Sequence, residues 1–225
     1  MGRDVLGPLR SLQRQKRWHE RQQAALERRS LPFQLQFVDG GTFDITATPA
    51  PGLYVNRMSP SAHTRDHGDG VVMLREYLTV LEDHGRRVVN GARSFALEIS
   101  KVRQHSALER AGILTPRTIA VAGTRDLREA ARRMTVPFIT KHNQGGKGLG
   151  VQLFRDLDAF DTYISGPAFE PAFDGITLLQ EYIEPLEPFI SRVEIVDGQF
   201  LYGLRAGTEE GFQLCPSDAC EAEDA

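Results

Sequence analysis

Residues 136–151 read VPFITKHNQGGKGLGV, an apolar run that ends at Lys141 and is followed by a glycine-rich loop. The apolar run predicts a strand, and Val151 and Leu153 predict another strand after the loop. Glycine lets the backbone approach a ligand closely and adopt positive φ. Successive backbone N–H groups in such a loop form an anion-binding concavity, and Lys141 and Lys147 add positive charge. The stretch therefore fits either a phosphate-binding loop or a flexible hairpin loop.

The setting of this loop excludes two common nucleotide-binding motifs. A Walker loop requires Gly-Lys followed by Ser or Thr, whereas Leu149 follows Gly148. A Rossmann fingerprint requires a helix directly after the glycines, whereas residues 151–154 have the pattern of a strand. Any phosphate bound here would therefore be covered by a loop between two strands.

The composition is that of an ordinary globular protein. The chain has 225 residues, of which 40% are hydrophobic and 25% charged, with a net charge of −3. This near-neutral charge gives no argument for binding nucleic acid or an anionic membrane. No apolar run approaches the roughly 20 residues of a membrane helix, and the N-terminus lacks a secretory pattern. Cys215 and Cys220 supply only two zinc ligands and are interpreted as reduced thiols, which favours the cytoplasm.

The N-terminal part combines a basic segment with apolar alternation. Residues 9–29 predict one basic helix, interpreted either as a solvent-exposed helix or as a contact for an acidic partner. Alternating apolar residues over 31–45, around Asp39-Gly40-Gly41, predict a β-hairpin. His63 and His67 are spaced i, i+4 in a polar loop without a third ligand, so no metal site is predicted.

Strands and helices then follow in a mixed order. Helical spacing covers 71–84, about 95–111, 125–134 and 156–165. Strand patterns cover 53–56, 87–90, 118–121, 136–141, 151–154 and 176–182. Residues 190–196 and 200–205 flank Asp197-Gly198, a strong hairpin signal. The fold class predicted is α+β or α/β.

Polar residues near the loop in the predicted fold could complete a nucleotide site. The strand at 178–183, LLQEYI, ends in polar groups whose backbone could contact an adenine edge. A following carboxylate, Glu184 or Glu187, could accept hydrogen bonds from ribose hydroxyls. Arg192 and Arg205 lie on the two strands of the last hairpin, and their alternation predicts that they face one side.

The order of these motifs resembles the ATP-grasp superfamily. The series is Lys101, GILTPRT at 112–118, PFITK at 137–141, the glycine loop, LQEYI at 179–183 and RVEIVDG at 192–198. It is most similar to the branch of ribosomal-protein glutamate ligases and related amino-acid ligases, over residues 54–214. The resemblance implies an ATP-grasp fold divided into a basic N-terminal helix (1–30), a small α/β region (31–93), a first ATP-grasp subdomain (94–168) and an incomplete second one (169–225).

The resemblance also implies the site. ATP phosphates would be held by Lys101 and Lys141, and the loop would close over them. Arg192 and Arg205 would bind phosphate or the acceptor carboxylate. The other implied contacts are the loop residues Asn143, Gln144, Gly145, Gly146, Lys147 and Gly148, the adenine-binding hinge of Gln180, Glu181, Tyr182 and Ile183, and the ribose acids Glu184 or Glu187. Such enzymes make an acyl-phosphate from a small carboxylate and ATP, and an amine, which can belong to an amino acid or a peptide, then attacks it.

Two departures from the family pattern qualify this expectation. The family holds Mg²⁺ with an Asp and a Glu-x-Asn pair in its final third, so those ligands are expected beyond Ala225. The acid that often precedes the segment's arginine is replaced by Phe189, Ile190 and Ser191. A truncated or degenerate nucleotide-binding module without ligase activity therefore remains an alternative. The basic segment over residues 9–29 adds a third hypothesis, a nucleic-acid-binding protein. An unpaired sheet edge leaves homo-oligomerisation open.

Overall fold

The computed structural model describes residues 9–11, 16–146, 148 and 150–207. The chain forms two compact units, Met1–Gln104 and His105–Ala225. The division falls inside helix α4 (Lys101–Arg110), later in the chain than the boundary predicted after residue 93. Within the described ranges, no helix has the length and hydropathy needed to cross a membrane. The predictions for Lys147, Cys215 and Cys220 lie outside the described residues.

The first unit is built on a four-stranded parallel sheet in the order β2-β1-β3-β4. Its strands are β1 (Leu9–Ser11), β2 (Phe33–Leu35), β3 (Leu53–Val55) and β4 (Arg87–Val89). Its helices are α1 (Lys16–Glu27), a 3-10 helix (Ala62–Arg65), α2 (Gly68–Asp83) and α3 (Ala92–Glu98). The apolar face of α2 supplies the core, because Leu74, Leu78 and Leu81 are fully buried at helical spacing.

The prediction of one basic helix over residues 9–29 is wrong at its start. Leu9–Ser11 form β1, which pairs in parallel with both β2 and β3. The helix is α1 and begins at Lys16. Local charge and apolar spacing did not reveal the strand, because its partners lie far along the chain and sheet pairing overrides local propensity.

The hairpin predicted over residues 31–45 is also wrong. β2 pairs in parallel with β1, and Phe37 and Ile45 are 59% and 67% exposed, so the alternation marks no second buried strand. The chain turns instead beneath α2, where Val38 is buried. A Cβ on Gly70 would lie 2.2 Å from the Val38 carbonyl oxygen, so only glycine allows this approach.

The helix predicted over about 95–111 is two helices, α3 and α4. The break falls at Ile99 and Ser100. The hydroxyl of Ser100 accepts a hydrogen bond from the Arg103 N–H at 3.3 Å, which is the position of a helix N-cap. A serine inside a helical pattern was therefore the overlooked signal for this boundary.

The second unit contains a four-stranded antiparallel sheet in the order β5-β8-β6-β7. The strands are β5 (Thr118–Ala122), β6 (Phe138–His142), β7 (Gln152–Phe154) and β8 (Ile176–Glu181), and the helices are α5 (Leu127–Arg132) and α6 (Leu157–Ser165). A core cluster on one face of the sheet includes Phe138, Phe154 and Phe160, whose ring centroids lie 5.1–5.6 Å apart. Side chains alternate along a strand, so Lys141 and Gln180 belong to the opposite face.

The hairpin predicted around Asp197-Gly198 is confirmed. Strands β9 (Phe189–Val196) and β10 (Gln199–Gly207) pair antiparallel, and both turn residues have positive φ, 50° and 73°. Both faces of the hairpin expose large apolar side chains, among them Val193, Ile195, Val196, Phe200, Leu201, Tyr202 and Leu204.

Candidate nucleotide-binding site

Lys141 provides the positive charge at the centre of the candidate site. It lies next to the last residue of β6, opposite Leu178 of β8, on the face away from the aromatic core. Burial lowers the pKa of Lys141 from its usual value. Within the described residues it makes no ion pair with a carboxylate. A half-buried ammonium without a counter-charge is costly, so this position favours a bound anion.

The positive charge of Lys141 also affects His105 of α4. Its pKa is lowered first by burial and then by the positive charge of Lys141, against an opposing effect of Glu109. The site therefore combines a lysine ammonium with an imidazole that is kept neutral more easily than usual.

Two contacts hold the point where the glycine loop returns to the sheet. The Thr140 hydroxyl donates a hydrogen bond to the Gly150 carbonyl oxygen at 3.0 Å. Gly150 has φ of 67°, and a Cβ there would lie 2.3 Å from the His142 ring. Only glycine adopts this backbone conformation without strain and also leaves room for the imidazole.

A second set of contacts holds the point where the loop leaves the sheet. His142 is buried, and its Nε2 donates to the Glu170 carbonyl oxygen at 3.0 Å, because a carbonyl can only accept. The Asn143 side chain donates to the Asp174 carboxylate, and the Asn143 N–H donates to the Ile176 carbonyl at 3.0 Å. Both ends of the loop are therefore held by the β6–β8 region.

The loop itself carries one unusual buried amide. Gln144 is buried, and its Nε2 has no hydrogen-bond partner within the described residues. Gly148 has φ of 81°, as expected for a glycine-dependent turn. The structure thus presents an unpaired donor beside the glycines, and a phosphate oxygen would satisfy it.

The predicted hinge follows β8 directly. Gln180 is 3% exposed, and its Oε1 has no hydrogen-bond partner within the described residues. The N–H groups of Glu181 and Tyr182 donate to Arg117 and Pro137 carbonyls at 2.9 and 3.3 Å, so the fold already uses them. No hydrogen bond involves Ile183 within residues 150–207 or the other described ranges. Within the described residues, the Oε1 acceptor of Gln180 and the backbone of Ile183 are therefore the groups of the predicted hinge that the fold does not use.

The structure also locates the remaining predicted residues. Glu184 and Glu187 are exposed in the connection between β8 and β9. Lys101 begins α4 and belongs to the first unit. Within the described parts of the chain, no three His, Cys, Asp or Glu side chains come together as a metal site.

Arg192 and Arg205 do not face one side of the hairpin, which corrects the prediction. Arg192 pairs with Leu204, and Arg205 pairs with Ser191, so the two arginines occupy adjacent register positions. Adjacent positions point to opposite faces of a sheet. The Arg205 guanidinium lies 4.5 Å from the ring centroid of Phe189, a cation–π contact. The two side chains cannot form a joint clamp from a single face.

Sequence reasoning missed the residues that fix the loop, namely Thr140, His142, Gly150, Glu170 and Asp174. Gly150 stood in the quoted glycine-rich stretch, but its contact with His142 depends on the β6–β7 pairing. Asp174 precedes Gly175, which signals a turn and not a contact with the loop.

Comparison with known proteins identifies the family of this chain. The model of the family described as RimK-like ATP-grasp domain matches residues 99–214. A D-alanine–D-alanine ligase of Nitrosomonas europaea is 24% identical over 194 residues, covering 80% of this chain and 61% of the ligase. The chain thus spans less than two thirds of the length of that relative.

Two solved structures show the same fold. An ATP-grasp RimK-domain protein of Sphaerobacter thermophilus has a TM-score of 0.60 at 20% identity, covering 83% of this chain and 68% of that one. The D-alanyl-alanine synthetase A of Vibrio cholerae has a TM-score of 0.59 at 15% identity, covering 98% of this chain and 73% of that one. With a mixed α and β architecture and a strand, β6, that carries Lys141 and leads into a glycine-rich loop, the chain belongs to the RimK-like ATP-grasp domain family.

Proposed function

We propose that this chain is an ATP-dependent carboxylate–amine ligase, or the nucleotide-binding portion of one. ATP would phosphorylate a small carboxylate, and an amine of an amino acid or peptide would then attack the acyl-phosphate. Family membership and the names of the similar proteins, a D-alanine–D-alanine ligase and a D-alanyl-alanine synthetase, support an amino-acid substrate. Glutamate is the amino acid that the sequence resemblance implies.

The single observation that carries the proposal is the uncompensated charge of Lys141. A half-buried ammonium is retained where a ligand supplies the missing negative charge. The orphaned Nε2 of Gln144 and Oε1 of Gln180 fit the two ends of a nucleotide, since one donates and the other accepts.

Each group of this chain then has a physical role. The Lys141 ammonium would neutralise phosphate charge as it develops, and the glycine loop would exclude water. The hinge at Gln180 and Ile183 would orient the adenine. Mg²⁺ would supply further charge neutralisation when bound, but no described residue is assigned to it.

The test is direct ATP binding measured by calorimetry on the wild-type chain and on Lys141→Met. We expect at least a tenfold loss of affinity in the variant, because the interaction of an ammonium with phosphate contributes about 1.5–3 kcal/mol. Arg133→Met is the matched control, since Arg133 is exposed at the end of α5, the helix that packs in the aromatic core cluster. Unchanged ATP affinity in Lys141→Met would refute nucleotide binding at this site.

A nucleotide-binding module without ligase activity is the competing candidate. The opposite orientation of Arg192 and Arg205 favours it, because the two arginines do not face one side as the sequence predicts. ADP release on addition of amino acids and peptides separates the two. Substrate-dependent ADP release supports the ligase, whereas ATP binding with no such release supports the module.

A further inference from the structure

We propose that the connection between α6 and β8, residues 166–175, positions the glycine-rich loop (143–150) for the nucleotide, with Asp174 as its positioning residue. Asp174 acts indirectly, through the hydrogen bond that its carboxylate accepts from the Asn143 side chain. The proposal rests on the proposed nucleotide binding. It adds a segment outside the loop that sets how tightly the loop holds ATP.

The α6–β8 connection is itself anchored to the second unit. Phe169 packs against the aromatic core cluster, and its ring centroid lies 5.6 Å from that of Tyr163. Ala172 is buried, and its carbonyl oxygen accepts the Gly175 N–H at 2.8 Å in a turn. The Gly175 carbonyl oxygen accepts the N–H of Gly123, which follows β5, at 2.8 Å. The connection therefore has a fixed position from which it can hold the loop.

The two carboxylate oxygens of Asp174 bond in different directions. Oδ1 accepts the Ile176 N–H at 3.2 Å, an Asx-type contact that orients the carboxylate at the start of β8. Oδ2 accepts the side-chain amide of Asn143, which is 3% exposed. A hydrogen bond to an ionised acceptor is roughly twice as strong as one between neutral groups. Asp174 therefore fixes the side chain of the first loop residue strongly.

The same connection also supports the end of the loop. The Glu170 carbonyl oxygen accepts from His142 Nε2 at 3.0 Å. The His142 ring in turn lies against Gly150, where a Cβ would be 2.3 Å from it. One short segment, residues 170–174, therefore supports the loop at Asn143 directly and at Gly150 through His142.

The consequence for the ligand lies in the residue after Asn143. Gln144 is 4% exposed, and its Nε2 has no hydrogen-bond partner within the described residues. A donor that is already in place when the ligand arrives lowers the ordering cost of binding. Without the bond from Asn143 to Asp174, a smaller fraction of the molecules presents the loop correctly, and the apparent affinity falls by that fraction.

The experiment measures association and dissociation rates of the fluorescent analogue N-methylanthraniloyl-ATP by stopped flow, on the full wild-type chain, Asp174→Ala and Asp174→Asn. Asp174→Ala should weaken binding about tenfold, the lower end of the range for a hydrogen bond to a charged group. The loss should appear as slower association at an unchanged dissociation rate, because fewer molecules are competent to bind. Asp174→Asn keeps one acceptor oxygen and should recover part of the affinity.

Two other roles of Asp174 predict different rates. A direct contact with the nucleotide would, on removal, raise the dissociation rate instead. Repulsion of the phosphates by the carboxylate would make both variants bind more tightly than the wild-type chain. Either result would overturn the proposal.

Amide hydrogen exchange without nucleotide tests the loop itself. The amides of Gly145, Gly146 and Gly148 should exchange faster in Asp174→Ala, because local opening of the loop becomes more frequent. Adding Asp174→Ala to Asn143→Ala should weaken ATP binding no further, since Asp174 acts through Asn143. Additive losses of affinity would contradict this indirect role.

Asp44→Ala is the matched control. The Asp44 carboxylate accepts the N–H two residues further on, that of Thr46, at 2.8 Å, so it makes the same local contact in the first unit. This variant should leave both rates unchanged. Unaltered association and loop exchange in Asp174→Ala, in a chain that binds ATP, would reject the positioning role alone. A wild-type chain that binds no ATP would reject the proposed function, whereas faster loop exchange in Asp174→Ala would still support the positioning role.

Discussion

At the scale of single residues, the Lys141 ammonium should link phosphate binding to pH. Burial lowers the pKa of Lys141 in the free protein, and a bound phosphate favours the charged form and raises that pKa. ATP affinity should therefore be constant below the pKa of the free protein. It should fall as the pH rises through that value, until the pKa of the bound form is reached.

Calorimetry between pH 7.5 and 10 measures this linkage, in buffers of different ionisation enthalpy that report proton uptake. Lys141→Met should remove the pH-dependent part of the affinity. The explanation fails if the wild-type chain and the variant lose affinity with the same slope.

A second residue-scale prediction concerns the contact between Gly150 and His142. Gly150→Ala should destabilise the fold and weaken ATP binding, because the new Cβ overlaps the imidazole at 2.3 Å and the residue keeps φ of 67°. The backbone strain alone costs about 1–2 kcal/mol. Adding His142→Ala should restore part of the loss, since it removes the overlap and leaves the strain. The free energy of unfolding in urea measures both effects.

Gly123→Ala is the control for strain without overlap. Gly123 has φ of 72°, and a Cβ there would meet nothing within 4 Å. The loss in Gly150→Ala should exceed the loss in Gly123→Ala. Strict additivity of His142→Ala and Gly150→Ala would show that the two residues are not coupled.

At the scale of secondary structure, the N-cap of α6 offers a stability prediction. The Asp156 carboxylate accepts the Ala159 N–H at 2.7 Å. Asp156→Ala should lower the free energy of unfolding by about 1 kcal/mol, because it leaves a helix N–H without a partner. Asp126 occupies the same position in α5 without a side-chain cap bond, so Asp126→Ala should cost clearly less. Equal losses would contradict the role of the cap.

The elements also show which parts of the fold could be predicted. The α2 helix, the β6 and β8 strands and the Asp197-Gly198 hairpin were predicted because their signals are local: apolar periodicity, a glycine stop and a positive-φ turn. The strand β1 could not be predicted, because a strand of three residues is too short to show an apolar periodicity and its partner strands lie far along the chain. In the candidate site, Lys141 and Gly148 were visible in the sequence. The His142 and Asp174 contacts depend on tertiary pairing.

At the scale of the whole molecule, the apolar hairpin surface gives a further prediction. Ile195 and Phe200 are cross-strand partners and both are exposed. The native chain should therefore enhance the fluorescence of the apolar-surface dye ANS, and Ile195→Ser with Phe200→Ser should reduce that signal. Leu114→Ser is the control, since Leu114 is 95% exposed in a loop outside the hairpin. An unchanged signal in the double variant would show that the dye binds elsewhere.

The position of β1 couples the basic N-terminal segment to the sheet of the first unit. Removal of residues 1–30 would delete α1 and also β1, which lies between β2 and β3. Any loss of nucleic-acid binding in such a truncation would be confounded by damage to the sheet. Replacing Arg21 and Arg28 by Gln keeps both elements and tests the charge alone, through the salt dependence of binding.

The same strand order has a consequence for synthesis on the ribosome. β1 leaves the exit tunnel before both of its partners, yet it has an interior place in its sheet, with β2 on one side and β3 on the other. Its backbone groups find both partners only after residue 55 has emerged. Parallel pairing of strands that lie far apart in the chain is slow, because closing the connecting loop costs entropy before the stabilising contacts form. The nascent β1 strand therefore remains unpaired until these partners emerge, and translation speed over residues 33–55 should set how long it is accessible to chaperones.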